Sequence, residues 1–165
     1  MSFSLNATDL ASVVSRLVGK VAKKLKPDNW YRYQFHCQGQ SSIIGRTRTM
    51  PIANSPVDRL RFAFASCQNY EDGYYNAYRY MAKDHVDLVV FLGDYIYESD
   101  APEKTVREHV GKNVKSLSDY RIRYGQYKSD PLLREMHRLC PWLVTWDDHS
   151  AFTCWAIRNA LTSPI

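Results

Sequence analysis

Residues that can bind metal ions follow three separate apolar segments of the chain. The first segment ends in FASC at Cys67, and the second ends in FLGD at Asp94, with Tyr97 three residues further along. The third segment, WLVTW, is followed directly by Asp147, Asp148 and His149. In an open α/β sheet, loops from the carboxyl ends of neighbouring strands converge, and binding sites form there. We therefore expect thiol, carboxylate, phenol and imidazole groups to meet at one rim of a sheet.

Each of these residues also has a purely structural explanation. A single cysteine such as Cys67 is commonly a small buried apolar residue. Asp94 follows Gly93 and could cap a turn or a helix, while Tyr97 is one of 12 tyrosines and could pack in a core. A histidine beside two aspartates could simply be hydrogen-bonded. The joint position of these residues at three strand ends favours a metal site over the separate explanations.

The residues after the first two segments suit a trivalent cation. A carboxylate can bridge two cations, which makes Asp94 the candidate bridging ligand. A phenolate and a thiolate are strongly donating anions that offset a high positive charge, and such ligands suit Fe³⁺. Tyr97 and Cys67 would supply them. The first two strand ends therefore predict an iron site.

The residues after the third segment suit a second cation and an acid. Asp147 and Asp148 offer hard oxygen ligands of the kind that Ca²⁺, Mg²⁺ and Mn²⁺ prefer. Two cations close together can clamp a phosphoryl group and activate water. His149 could then stabilise or protonate the leaving oxygen. The whole set predicts metal-dependent phosphoryl chemistry.

The elements that position these residues are predicted to be parallel strands of an α/β domain. Residues 60–67 and 86–94 are near-continuous apolar runs, which is typical of strands buried on both faces, and residues 141–146 form a third run. A helix is predicted between the first two runs, because one helical face would carry Tyr74, Ala77, Tyr78 and Met81. Strand, helix and strand in this order indicate a βαβ unit.

The segment between the second and third runs is polar and is predicted to be helical in parts. Ser118 is the expected N-cap of one helix, because serine at this position can accept a hydrogen bond from the first turn. Asp130 and Pro131 are expected to start another helix, since proline is favoured in the first helical position.

Residues 1–57 are predicted to form a separate unit. Residues 30–37 and 43–50 alternate in the manner of strands around a Gly/Ser turn, which indicates an antiparallel hairpin. Residues 1–25 carry apolar side chains at helical spacing and are expected to be a surface helix or a displaced strand. A linker rich in Pro, Asn and Ser covers residues 50–58, so a second domain is predicted over residues 58–165.

The composition argues against several classes of protein. The 165-residue chain is 45% apolar and 24% charged, as ordinary globular domains are. Its net charge of +5 suits phosphate-bearing partners, but no nucleic-acid recognition motif accompanies the scattered basic residues. The four cysteines form no CxxC pair, no apolar run is long enough to span a membrane, and no secretory signal is recognisable. We expect a cytoplasmic protein or a chain whose true N-terminus is missing.

The same residues occur within motifs that resemble a known family. The segments FAFASCQNYEDGYYNAYRYMA, DLVVFLGDYIYE, SLSDYRIRYGQYKSDP and WLVTWDDH together resemble the alkaline phosphatase D (PhoD-like) family of metallophosphoesterases. LKPDNWYRYQF and GRTRTMP resemble the end of the family's N-terminal immunoglobulin-like domain. The resemblance covers residues 25–149. It implies an α/β fold in which a partial metallophosphoesterase-type sheet with helices follows the end of a β-sandwich.

The resemblance also implies an activity, cofactors and ligands. The family's enzymes are secreted or periplasmic phosphomonoesterases or phosphodiesterases with iron (Fe³⁺) and calcium (Ca²⁺) in the site. Cys67 and Tyr97 match iron ligands, and Asp94 matches the bridging ligand. The WDDH motif places further metal contacts and the leaving-group contact at Asp147, Asp148 and His149. The substrate would be a small phosphate ester or a phosphodiester polymer.

Two functions remain open at this point. After His149 the chain departs from the family's WDDHEVENN, with Ser150 in place of the glutamate, and it lacks ligands that the family carries further downstream. We therefore expect a truncated and impaired phosphoesterase. The alternative is a non-enzymatic remnant that binds at most a metal or a protein. A sheet that ends at its third strand would leave an apolar edge and face uncovered, so poor solubility and weak iron binding are expected.

Overall fold

The chain forms two compact units. A computed structural model describes residues 2–5, 25–37, 39–99, 104–111, 113–145, 147 and 149, with residues 2–5 and Cys37 described by their backbone alone. The first unit comprises Met1–Leu60 and His137–Pro141, and the second comprises Arg61–Met136 and Trp142–Ile165. The amphipathic segment predicted within residues 1–25 falls mostly outside the described residues, as does Asp148. The assignment of residues 1–57 to an immunoglobulin-like domain stays a prediction.

The first unit contains a four-stranded sheet built around one long strand. Its strands are β1 (Ser2–Leu5), β2 (Trp30–Cys37), β3 (Gln40–Ser41) and β4 (Gly45–Arg48). Strand β2 pairs in parallel with β1 and antiparallel with both β3 and β4. The predicted hairpin is therefore confirmed as the β2–β4 pair, which runs from Trp30 opposite Arg48 to Tyr33 opposite Gly45.

The turn of this hairpin differs from the prediction. Gln40 and Ser41, predicted to be in the turn, form β3, and Ile43 and Ile44, predicted to be in a strand, lie outside both strands. Ser42 explains the interruption. Its hydroxyl accepts the N–H of Phe35, and its carbonyl accepts the side-chain amide of Gln34. Side-chain bonds therefore replace part of the ladder where β2 faces the residues that join β3 to β4.

The second unit contains a three-stranded parallel sheet, as predicted. Its strands are β5 (Phe62–Ala65), β6 (Leu88–Phe91) and β7 (Trp142–Val144), in that spatial order. Helix α1 (Asn76–Met81) connects β5 to β6, and helices α2 (Leu117–Ser129) and α3 (Pro131–Leu139) lie between β6 and β7 in the chain. Among the described residues, none of these helices reaches the length and apolarity that crossing a bilayer requires.

Aromatic rings fill the covered side of this sheet. Val89 and Phe91 of β6 are fully buried, and the Phe91 ring stacks on Trp142 with 6.0 Å between ring centroids. Tyr78 of α1 contacts the same indole at 5.7 Å. Aromatic pairs at these distances stabilise a core beyond the area they bury.

The buried face of the first helix agrees with the prediction at Tyr78 but not at Tyr74 or Ala77. Helix α1 spans only six residues, Tyr75 and Tyr78 are its buried contacts, and Tyr74 and Ala77 are exposed. The cause is a side-chain contact outside the helix. The Tyr75 hydroxyl donates to the backbone carbonyl of Gln68 at 2.9 Å, which orients this end of the segment differently from an unbroken helix.

The start of α2 also corrects the sequence prediction. Its N-cap is Ser116 rather than Ser118: the Ser116 hydroxyl accepts the N–H of Asp119, and the Asp119 carboxylate accepts the N–H of Ser116 in return. This reciprocal pair is a capping box. The predicted start of α3 is confirmed, because Asp130 Oδ1 accepts the N–H groups of Leu132 and Leu133.

The described residues do not cover the other face of the parallel sheet. Phe62 and Phe64 of β5 are 57% and 68% exposed, and Leu143 of β7 is 55% exposed. The prediction that the strands are buried on both faces is therefore wrong for this side of the described sheet. Adjacent exposed apolar residues on an edge strand favour self-association.

We expect Ser116→Ala to lower the free energy of unfolding by about 1 kcal/mol, because the first turn of α2 loses its cap. Urea unfolding followed by circular dichroism measures this loss. Ser118→Ala is the matched control, since Ser118 is exposed on the same turn and is expected to change stability by less than about 0.5 kcal/mol. Equal losses in the two variants would contradict the assignment of Ser116 as the cap.

We expect the isolated chain to self-associate through the exposed face of β5, and Phe64→Lys to reduce that association. A lysine in this position adds charge to an apolar edge strand. Sedimentation velocity over a range of protein concentrations measures the effect. Tyr80→Lys is the control, because Tyr80 is 65% exposed on α1. A wild-type chain that stays monomeric at every concentration would refute the prediction.

Candidate metal-binding site

The loops that follow β5 and β6 run side by side. The N–H of Cys67 donates to the carbonyl of Gly93 at 3.2 Å, and the N–H of Gln68 donates to the carbonyl of Asp94 at 3.3 Å. These bonds continue the contact between the two strands beyond their ends. As a result, Cys67 Sγ lies 3.7 Å from Asp94 Oδ2. The structure therefore brings the first two predicted ligands together.

Both of these residues have left-handed backbone conformations. The φ angle is 54° at Cys67 and 52° at Asp94. This region costs a residue with a side chain roughly 1–2 kcal/mol, although aspartate tolerates it better than most. Backbone strain of this kind is found preferentially at functional sites, where the surrounding contacts hold it in place. Two strained residues whose side chains touch therefore mark this strand edge as a candidate site.

Tyr97 contributes a phenol to the same group. Its hydroxyl lies close enough to the Cys67 thiol and the Asp94 carboxylate for both groups to affect its pKa. Burial raises the pKa of Tyr97, and the nearby Asp94 and Cys67 raise it further by disfavouring another negative charge. The phenol is therefore protonated at neutral pH when no cation is near. Cys67, Asp94 and Tyr97, here called the ligand triad, form one contiguous cluster.

Asp94 holds a carboxylate oxygen that has no hydrogen-bond partner. The residue is 7% exposed, and its Oδ1 atom is buried without a donor among the described residues. Buried polar atoms almost always have a partner, and a carboxylate left without one carries a large desolvation cost. The free lone pairs of this atom are available to a cation.

Asp147 and His149 lie beside the triad. A Cβ atom added to Gly93 would lie 2.6 Å from the Cβ of Asp147, so the Asp147 side chain is seated against the glycine that precedes Asp94. The His149 ring lies 4.3 Å from the Tyr97 ring, and its Nδ1 atom is 3.1 Å from Glu98 Oε2. The structure therefore brings both predicted residues to the rim that carries the triad.

Gln68 stabilises the loops that carry the triad, although it was not among the predicted site residues. Its buried side chain donates to the carbonyl of Tyr95 at 2.9 Å and accepts the hydroxyl of Tyr78 at 2.6 Å. The amide thus connects the loop after β5 to the loop after β6 and to helix α1. Because Gln68 follows Cys67 directly, these bonds also restrict where the thiol can lie.

Tyr127 of α2 is a second support that the sequence analysis missed. Its side chain is fully buried, and its hydroxyl accepts the N–H of Tyr70 at 3.1 Å and the N–H of Tyr97 at 3.2 Å. A recognisable signal exists in the sequence. The buried positions of α2 are Tyr120, Arg123 and Tyr127, so polar side chains occupy the helical spacing at which a core normally has aliphatic ones.

A buried ion pair fixes the remainder of the loop after β5. Arg107 Nη1 lies 2.7 Å from Asp130 Oδ2, with both side chains almost inaccessible to solvent. The same guanidinium donates to the carbonyls of Tyr70 and Gly73 and covers the Tyr70 ring at 3.7 Å. A buried charge pair is tolerated when further hydrogen bonds satisfy its remaining donors, as they do here.

Comparison with known proteins identifies the family. The family model described as "PhoD-like phosphatase" matches residues 62–160, which is more than half of the chain. The chain belongs to the PhoD-like phosphatase family. Alkaline phosphatase D of Bacillus subtilis (strain 168) is 48% identical to it over 133 residues, which cover 78% of this chain and 23% of that protein. The solved structure of PhoD matches with a TM-score of 0.72 and 46% identity, over 76% of this chain and 25% of that one.

These matches confirm the family that the motifs indicate and the mixed α/β architecture of the second unit. The PhoD-like match extends to residue 160, beyond His149, where the sequence analysis places the end of the resemblance. The chain spans about a quarter of the length of the two relatives.

The ligand triad fits a cation, on the strength of its own geometry. A thiol, a carboxyl and a phenol converge, and Asp94 Oδ1 is a buried acceptor without a donor. No group of three or more His, Cys, Asp and Glu side chains converges among the described residues, so the tyrosine is essential to the set. Thiolate and phenolate donors suit Fe³⁺ rather than Ca²⁺ or Mg²⁺.

We expect Gly93→Ala to lower the free energy of unfolding of the second unit by about 1–3 kcal/mol, because φ is 135° at this position and the new methyl group would meet Asp147. Thermal or urea unfolding measures the loss. Gly73→Ala is the matched control, since a Cβ at Gly73 meets nothing within 4 Å. If both variants unfolded alike, the close seating of Asp147 on Gly93 would be disproved.

Proposed function

We propose that the chain carries part of the active site of a metal-dependent phosphoesterase, with Cys67, Asp94 and Tyr97 as ligands of an Fe³⁺ ion. The observation that carries the proposal is the buried Asp94 Oδ1 atom, which has no donor among the described residues and belongs to the carboxylate that lies beside the Cys67 thiol and the Tyr97 phenol. Membership of the PhoD-like phosphatase family supports the reaction class.

The ligand triad would hold a cation in a fixed position beside the substrate. Bound cations would supply the polarisation of a phosphoryl oxygen and the activation of water. Asp94 directs Oδ2 towards Cys67 and leaves Oδ1 for a cation. Asp147, seated against Gly93, offers an oxygen ligand of the type that suits Ca²⁺, and Asp148 is proposed for the same role from the motif.

His149 is the proposed proton donor to the leaving oxygen. Its ring lies against Tyr97, and its Nδ1 atom lies within hydrogen-bonding distance of the Glu98 carboxylate. A carboxylate at this nitrogen fixes the orientation of an imidazole ring. The other ring nitrogen would then carry the proton that the departing alkoxide requires.

The substrate class is a phosphate ester, either a small molecule or a phosphodiester polymer, and no sequence-specific recognition of nucleic acid is proposed. Secretion or a periplasmic location is proposed from the family alone, as is the immunoglobulin-like origin of residues 1–57. The proposed ligands are Cys67, Asp94, Tyr97, Asp147 and Asp148. Five protein ligands are fewer than two such cations usually take, so we propose that the chain by itself is an impaired enzyme.

A non-enzymatic role is the second candidate. The observation that favours it is the exposed apolar side of the parallel sheet, where Phe62, Phe64 and Leu143 lie uncovered by the described residues. A surface of this kind suits binding to a protein better than turnover of a small substrate. Under this alternative the triad binds a metal without catalysis.

We expect Fe³⁺ to stabilise the purified chain, and Asp94→Asn to abolish this effect. A ligand present at 100 times its Kd stabilises the folded state by about 2.7 kcal/mol, which a thermal shift detects readily. Asp84→Asn is the matched control, because Asp84 is exposed and distant in sequence from the triad. Stabilisation that survives in Asp94→Asn would contradict the proposed ligand.

Hydrolysis of a chromogenic phosphodiester and a chromogenic phosphomonoester, with iron and calcium added, separates the two candidate functions. The phosphoesterase proposal predicts slow hydrolysis that Asp94→Asn abolishes and Asp84→Asn retains. Iron binding without any hydrolysis above the Asp94→Asn background would support the non-enzymatic alternative. The absence of both would refute the metal site itself.

A further inference from the structure

Tyr97 lies in a segment that no regular secondary structure holds. Residues 92–99 follow β6 without forming a helix or strand, so the backbone of Tyr97 has no ladder of its own. Its hydroxyl must nevertheless lie beside Cys67 and Asp94 to complete the ligand triad. Some other part of the unit must therefore fix this backbone.

Two side chains of α2 bind both polar groups of the Tyr97 backbone. Arg123 Nη1 donates to the Tyr97 carbonyl at 2.7 Å, and the Tyr97 N–H donates to the Tyr127 hydroxyl at 3.2 Å. The two side chains are four residues apart and lie on one face of the helix. Both are buried, Arg123 to 1% and Tyr127 to 0% exposure, so water does not compete for these bonds.

The same two side chains are anchored to the loop that carries Cys67. Tyr127 also accepts the N–H of Tyr70, three residues after Cys67. Arg123 Nη1 lies 2.6 Å from His109 Nδ1, and Glu71 Oε2 lies 3.2 Å from that nitrogen. The helix therefore holds the two ligand-bearing loops in one fixed relation.

An apolar helix face would pack this space at lower cost. Burying an arginine and a tyrosine hydroxyl requires every polar atom to be matched, whereas leucine or phenylalanine requires only volume. Polar side chains in these positions are explained by what they bind, which is the backbone of Tyr97 and of the neighbouring loop.

We propose that Arg123 and Tyr127 are positioning residues that clamp the Tyr97 backbone and thereby hold its phenol in the ligand triad. The clamp rests on the proposed function only in the assumption that Tyr97 binds the metal. Its effect on the backbone of Tyr97 is independent of that assumption.

The test compares Tyr127→Phe with Tyr124→Phe in the 165-residue chain without metal. Tyr124 is half-buried on the same helix, where its ring stacks on Tyr95 and lies beneath the Lys128 ammonium group. Hydrogen exchange resolved at single amides is the readout. Tyr127→Phe is expected to speed exchange of the Tyr97 and Tyr70 amides about tenfold relative to the amides of β6, whereas Tyr124→Phe leaves this ratio unchanged.

Titration with Fe³⁺ gives the second readout, which a merely structural role would not move. Phenolate bound to Fe³⁺ absorbs visible light, and Tyr97→Phe identifies the part of that absorption due to Tyr97. Tyr127→Phe and Arg123→Lys are expected to shift the band and to raise the half-saturating iron concentration about tenfold, while Tyr124→Phe matches wild type.

The outcomes separate the two proposals. Unchanged exchange at Tyr97 in Tyr127→Phe, or an equal rise at every amide, would overturn the clamp. A wild-type chain without a Tyr97-dependent band would refute Tyr97 as an iron ligand, and the exchange ratio would still decide the clamp. A local rise at Tyr97 together with a shifted band would support both.

Discussion

One buried hydroxyl accepts backbone N–H groups from two loops that lie outside every helix and strand. Tyr127 accepts the N–H groups of Tyr70 and Tyr97, which belong to the loops after β5 and β6. A buried amide without a partner costs roughly 1–3 kcal/mol. Without the Tyr127 hydroxyl, each of the two loops would carry that cost. Burial raises the pKa of Tyr127 to about 12, and the neutral hydroxyl keeps its proton at any physiological pH. The geometry of the candidate site depends on this contact.

The helix that provides this hydroxyl is itself tied to the same loops by charge. Asp130, at the junction of α2 and α3, caps α3 and pairs with Arg107 at 2.7 Å. Arg107 in turn binds the carbonyls of Tyr70 and Gly73. One carboxylate therefore starts a helix and anchors a loop, and the polar groups beneath the triad are bound to one another instead of to water. Such a network gives a ligand loop a defined position at the expense of apolar burial.

Much of the sheet, but less of its surroundings, could be predicted from the sequence. The apolar runs locate β5, β6 and β7, and their ends locate Cys67 and Asp94, because an apolar run between polar segments marks a strand by local pattern alone. The cap at Ser116 and the burial of Tyr75 were not among the predictions, although Ser116 and Asp119 have the Ser-x-x-Asp spacing of a capping box. Both depend on side-chain bonds to particular backbone atoms, from Asp119 in one case and Tyr75 in the other. Bonds of this kind leave no hydrophobic periodicity, and neither do the contacts of Gln68, whereas Tyr120, Arg123 and Tyr127 do recur at helical spacing.

The triad is electrostatically incomplete without a cation. Burial, Asp94 and Cys67 all disfavour ionisation of Tyr97, and Asp94 Oδ1 is buried without a donor among the described residues. Two of the residues concerned also bear backbone strain, at Cys67 and at Asp94. The buried oxygen and the backbone strain each destabilise the fold, and a positive charge at this point would stabilise the buried carboxylate and favour the phenolate form of Tyr97. Metal binding and the ordering of this strand edge are therefore expected to be coupled, as they are where ligands come from separate segments. The polar supports beneath the triad reduce that coupling by holding the loops before a cation arrives.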